Sequence, residues 1–128
     1  MAQGGTNLKR RSILKSLVGE LQKEGAKVTH AALDGYTDTY KIGRYKPDVI
    51  AIMPNGQAVV GIVRLGGSDI ETGQNRQQIK DLATRISQKT HKVIPLYIGI
   101  PSNISQDLNR VLKEVGLDKK PNIRIRTY

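Results

Sequence analysis

The sequence contains no cysteine, no phenylalanine and no tryptophan. The first absence excludes disulfides and thiolate metal sites, and suits a cytoplasmic protein, of a cell or of a virus or phage inside one. The other two leave Leu, Ile, Val and Ala to build any core. No apolar run approaches the ~18 residues of a membrane span. The first fifteen residues are polar and basic, unlike a secretion signal. Acid is also scarce, with 11 Asp and Glu against 21 Lys and Arg, a net charge of +10 in 128 residues. A small domain this basic attracts polyanions at ordinary salt. The expected partner is therefore nucleic acid, and not a membrane. The plainer alternatives are a merely basic surface or contact with anionic lipid.

What is present is a pattern of alternating elements. Met1 to Thr6 read as a flexible leader, and residues 7–128 as one domain, long enough to bury about two-thirds of its unfolded surface. Leu14, Leu17, Val18 and Leu21 recur at three and four, which predicts a helix from Asn7 to Glu24 with one buried stripe. Thr6 or Asn7 would cap its start, and Gly25 follows its end. Lys9, Arg10, Arg11 and Lys15 crowd its expected first turns, where the helix dipole prefers anions. That placement points to a phosphate backbone nearby, or simply to a solvated face.

A short strand over Ala26–Leu33 is followed by a loop, Asp34 to Lys46, holding Tyr36, Tyr40, Tyr45, Lys41, Arg44 and Lys46. Its tyrosines suit base stacking or local packing equally well. Val49–Met53 and Ala58–Leu65 read as strands joined by Pro54-Asn55-Gly56-Gln57, because Asn-Gly takes the positive φ of tight hairpin turns. A second helix is expected over Gln74–Lys89 with Ile79, Leu82, Ala83 and Ile86 inward and Arg76, Lys80, Arg85 and Lys89 outward. A strand follows over Val93–Ile100. A third helix runs from Ser102 or Asn103 to Val115, and a last strand, Ile123–Arg126, carries Arg124 and Arg126 on one face. The order α-β-β-β-α-β-α-β predicts an α/β domain, a mixed central sheet flanked by helices.

The residues that carry chemistry centre on Lys46-Pro47-Asp48 and on the strand ending Gly61-Ile62-Val63-Arg64. His30 and His91 have no metal-ligand spacing. With the hairpin and the helix before it, this segment resembles the restriction-endonuclease-like, or PD-(D/E)xK, nucleases. The layout is nearest to the archaeal Holliday-junction resolvases, and the likeness spans the chain from about Asn7.

The resemblance implies a metal-binding Asp at Asp48, a second acid at Ile62 and a catalytic Lys at Arg64. No register of the second strand supplies a carboxylate. The acid that the family often carries on its first helix maps onto Leu14, and a polar residue of its second helix onto Gln77 or Gln78. Holding Mg²⁺ takes more negative charge than one carboxylate gives, and Arg is a poor proton acceptor. The resemblance thus implies a degenerate catalytic set of Asp48, Arg64 and Gln78, with no cofactor, in a nucleic-acid-binding domain that reads backbone and shape. Its contacts would be Lys9, Arg10, Arg11, Lys41, Arg44, Tyr45, Lys46, Arg64, Arg76 and Lys80, with a homodimer as in the resolvases. The alternative is an active Mg²⁺- or Mn²⁺-dependent endonuclease or resolvase in which Asp69 or Glu71 joins Asp48 as a displaced metal ligand. A third reading is an assembly component that reuses the fold for protein contacts. Asp48 also has a purely structural reading, since Asp after Pro commonly caps a turn.

Overall fold

The structure is a computed structural model that describes residues 2–66 and 72–128, with the side chains from residue 8 onward. Its elements are α1 (Ala2–Lys23), β1 (Lys27–Ala31), β2 (Val49–Ile52), β3 (Ala58–Val63), α2 (Gly73–Ala83), β4 (Leu96–Ile100), α3 (Ser105–Glu114) and β5 (Ile123–Thr127). The strands form one mixed sheet in sequence order: β1, β2 and β3 are antiparallel neighbours, and β3, β4 and β5 run parallel. The chain is thus a single α/β domain with the element order that the sequence pattern predicts. No helix of the described residues is long and apolar enough to cross a membrane.

Strand alternation divides the core into two layers. Val49, Ala51, Val59, Val63 and Tyr97 pack against the α1 stripe of Ile13, Leu14, Leu17, Val18 and Leu21. Ile50, Val60, Ile62, Leu96, Ile98 and Ile100 face the other way, onto Ile79 and Leu82 of α2 and Leu108, Val111 and Leu112 of α3. Both parallel crossovers, β3-α2-β4 and β4-α3-β5, therefore carry their helices on one face, as repeated crossovers of a single hand require when each new strand is added on the same side. Helix α1 covers the opposite face alone. Each of its fully buried leucines contributes about 1.5–3 kcal/mol.

Several boundaries differ from the pattern. Helix α1 opens at Ala2, not Asn7, so residues 2–6 continue the helix. Lys9, Arg10, Arg11 and Lys15 then lie beyond its first turn, where the dipole no longer penalises a cation, and that argument for a nearby phosphate lapses. Helix α2 stops at Ala83, well short of Lys89. The Thr84 hydroxyl donates to the Lys80 carbonyl at 2.8 Å, the Thr84 N–H donates there too, and the chain turns away. Ile86 is therefore 61% exposed instead of buried, bridged to Val93 in an irregular hairpin. The β4 ladder starts only after Pro95, which has no N–H to give. A 3-10 turn, Ser102–Ile104, precedes α3, and no side chain caps it. Thr72 does cap α2, accepting the Asn75 N–H at 3.2 Å.

The loop between β1 and β2 is fastened at several points. The buried Thr39 hydroxyl donates to the Pro47 carbonyl at 2.6 Å. Lys46 binds Asp38, and that hydrogen bond holds the Asp38 carboxyl below its ordinary value. At the tip, Ile42 and Tyr45 bridge, and Ile42 packs against the α2/α3 core. Gly43 sits there at φ 69°, with the Arg85 guanidinium over it, and a Cβ would lie 1.7 Å from Arg85 Nη2. Gly35, at φ 89°, has open space around it. Gly35→Ala then carries only the cost of left-handed backbone, about 1–2 kcal/mol. Gly43→Ala adds to that the displacement of Arg85 from Asp81, about 1 kcal/mol more for a partly exposed pair. Urea denaturation of the two variants measures the difference, and equal losses would show that Arg85 does not hold the tip.

Candidate nucleic-acid interface

The β2–β3 ladder ends at the pair Val49 and Gly61, and the same register carried one residue further sets Asp48 opposite Ile62. Asp48 binds both neighbouring segments: its N–H donates to Gly61 O at 2.9 Å, and its carbonyl accepts the Ala32 N–H at 2.9 Å. Its carboxylate Oδ2 accepts the Val63 N–H at 2.8 Å. The side chain thereby takes a ladder donor where the strands part.

Arg64 follows on β3. It is 5% exposed, and its Nη1 lies 3.9 Å from the same Asp48 Oδ2. That Nη1 also donates to Val63 O at 2.7 Å, and Arg10 Nη1, reaching over from α1, donates to the same carbonyl at 2.8 Å. One residue, Val63, thus gathers Asp48 on its N–H and two guanidiniums on its carbonyl. Beside it opens a cleft of about 200 Å³ lined by Arg10, Arg11, Leu14, Ala32 and Asp48.

The positions that would complete a metal centre are apolar. Ile62 is fully buried on the α2/α3 side, and Leu14, where the resemblance would put a helical acid, is 2% exposed and lines the cleft. Among the described residues no group of three or more acids or histidines could hold a metal ion. Asp69 and Glu71 lie outside the described residues. The arrangement suits an anion beside Arg10 and Arg11 better than a cation at Asp48, because guanidiniums bind phosphate oxygens in a fixed fork.

The fold brings together Asp48, Arg64, Arg10 and Arg11 among the expected residues. Lys41 and Arg44 are exposed at the tip of the β1–β2 loop, which packs through Ile42 against the α2/α3 core and meets Arg85 at Gly43, Tyr45 is half-buried and Lys46 is bonded to Asp38. Others sit elsewhere. Gln78, Lys80 and Arg76 belong to α2, on the face of the sheet away from α1, and Arg76 is paired with Glu114 of α3. Arg85 and Lys89 lie past the end of α2, and Arg85 is paired with Asp81 at 3.1 Å. Arg124 and Arg126 stack over the Tyr97 ring, 5.6 and 5.4 Å from its centroid. Arg124 donates to the Tyr97 hydroxyl, and Arg126 is paired with Glu20 of α1 and with Glu24 just past its end. Arg124 thus ties β5 to β4, and Arg126 ties it to α1.

Sequence reasoning missed two buried polar anchors, Thr39 and Asn122. The Asn122 amide donates to Ala83 O at 2.7 Å, joining the end of α2 to the start of β5. Neither sits in a motif, and only their tertiary neighbours give them a role. Compared with protein-family models, curated proteins and solved structures, the chain matches none.

Proposed function

We propose that the protein binds nucleic acid, DNA ahead of RNA, by backbone contacts around the Asp48 cleft, on a restriction-endonuclease-like fold that has lost its hydrolytic site. One observation carries this reading: the carboxylate at the expected metal position is engaged by the Val63 N–H beside a buried Arg64, with an apolar residue opposite. The net charge of +10 supports a polyanionic partner. The order of elements around the Asp48 hairpin supports the nuclease-like fold, and association into a homodimer belongs to the same reading.

The test is fluorescence anisotropy with labelled duplex, single-stranded and four-way-junction DNA over a range of salt, with gels run in parallel in Mg²⁺ or Mn²⁺. The expected result is affinity that falls steeply with salt and DNA that stays intact. Arg11→Ala is expected to lower the salt slope by about one unit, as for a single phosphate contact. Metal-dependent nicking that Asp48→Ala abolishes would instead establish an active endonuclease. A stable oligomer that binds no nucleic acid at low salt would favour the assembly role.

A further inference from the structure

Tyr40 is the most exposed of the large apolar and aromatic side chains on the loop between β1 and β2. It is 54% exposed in a chain whose only other aromatic rings, histidines aside, are four tyrosines. Its neighbours hold the backbone on both sides: Thr39 is buried and bonded to Pro47, and Ile42 packs into the core. Tyr40 and Asp48 each directly follow one of the two residues joined by the Thr39–Pro47 bond, which brings this part of the loop to the start of β2. The ring is held as well. It meets His30 edge-to-face with centroids 5.1 Å apart, and His30 Nδ1 lies 2.9 Å from Thr29 Oγ1. Thr29 in turn donates to Ile50 O. An edge-to-face contact occupies at most one face of the tyrosine. Exposed Lys41 directly follows it in the chain, and exposed Arg44 lies further on at the loop tip.

A fixed, solvent-facing aromatic next to cations has the two parts that unpaired nucleic acid requires, a π-face for a base and positive charge for the adjoining phosphates. In duplex DNA the bases are already stacked and offer no free face. We infer that Tyr40 is a stacking platform for an unpaired base, so that the ligand carries a single-stranded stretch at the loop while its backbone runs past Lys41 and Arg44. This inference rests on the nucleic-acid reading above and adds to it the strandedness of the ligand. Because the ring is held before binding, little ordering cost opposes the contact.

The absence of tryptophan supplies a direct probe. Tyr40→Trp places the sole indole of the chain at the platform, and its half-exposed position leaves the core undisturbed. Oligothymidylate is expected to quench that fluorescence, whereas a blunt duplex and heparin, which bring negative charge without a free base, leave it nearly unchanged. Tyr40→Ala is expected to weaken oligothymidylate binding about tenfold, within the range a stacked base supplies, and Tyr40→Phe to keep it. Anisotropy on the same samples separates the two levels of the argument. Binding without quenching, or equal quenching by the duplex, overturns the platform and leaves the nucleic-acid reading standing. No binding to oligothymidylate or duplex at low salt overturns both.

Discussion

Gly61→Val is expected to destabilise the protein by about 3 kcal/mol or more, the upper end of what overpacking costs in a filled core. Gly61 lies in the middle of β3 on the face that α1 covers. A Cβ there would stand 2.5 Å from Val49 Cγ1 and 3.1 Å from Leu17 Cδ2. Both neighbours are fully buried, so neither has space to yield. Alanine brings only the first carbon, and its lower strand entropy cost returns about 0.5–1 kcal/mol. Gly61→Ala should therefore lose only about 1–2 kcal/mol. The additional carbons of valine have the same walls to meet. Urea unfolding followed by far-UV circular dichroism measures all three proteins. The cause can be tested by pairing Gly61→Val with Leu17→Ala, which alone costs about 2–5 kcal/mol. If close approach of α1 to β3 sets the cost, the double variant is less damaged than the sum, by a coupling of about 0.5–3 kcal/mol. Strict additivity would place the strain elsewhere.

That glycine illustrates what the sequence can and cannot disclose. The α1 stripe, the hairpin and the alternation of β3 follow local periods that the residues obey, and the fold shows them at the expected places. Gly61 reads as a weak point in a strand, and nothing local says that a leucine from α1 fills the space above it. The end of α2 was hidden for a similar reason. Ile86 continues the helical period from Ile79 and Leu82, but Thr84 offers its hydroxyl to the preceding turn and the segment leaves the core. Long-range polar pairing was the least legible. Arg126 was legible only as a basic residue on one face of the last strand, and Glu20 of α1 and Glu24 just past its end engage it. At the cleft the convergence of Asp48 and Arg64 was legible because it depends on strand register alone. Arg10 could be named only as one member of a basic run, since its reach to Val63 O depends on how α1 crosses the sheet.

Asp48→Ala should separate a structural carboxylate from a metal ligand by the sign of its effect on stability. In the arrangement seen here the Asp48 carboxylate takes the N–H of fully buried Val63 and lies 3.9 Å from an Arg64 guanidinium that is 5% exposed. Removing it withdraws the acceptor of a buried donor and the nearby opposite charge, at an expected cost of about 2–3 kcal/mol. Asp48→Asn keeps an oxygen for the Val63 N–H and should lose about half as much, since the hydrogen bond to a charged group is the stronger one. Affinity for DNA should hold or rise in both variants, because a negative charge leaves a cleft lined by Arg10 and Arg11. A metal-binding carboxylate behaves oppositely. Without its ion it is held among groups that repel it or leave it unsatisfied, so its removal commonly stabilises the apo protein while ending metal-dependent activity. Denaturation and anisotropy of the same two variants, each with and without Mn²⁺, therefore decide between the readings. Destabilisation with retained DNA binding and no effect of Mn²⁺ is the result expected of a nuclease-like fold in which this carboxylate joins strand ends. Stabilisation by the substitution, together with loss of a Mn²⁺-dependent gain in the parent protein, would restore Asp48 to a metal site.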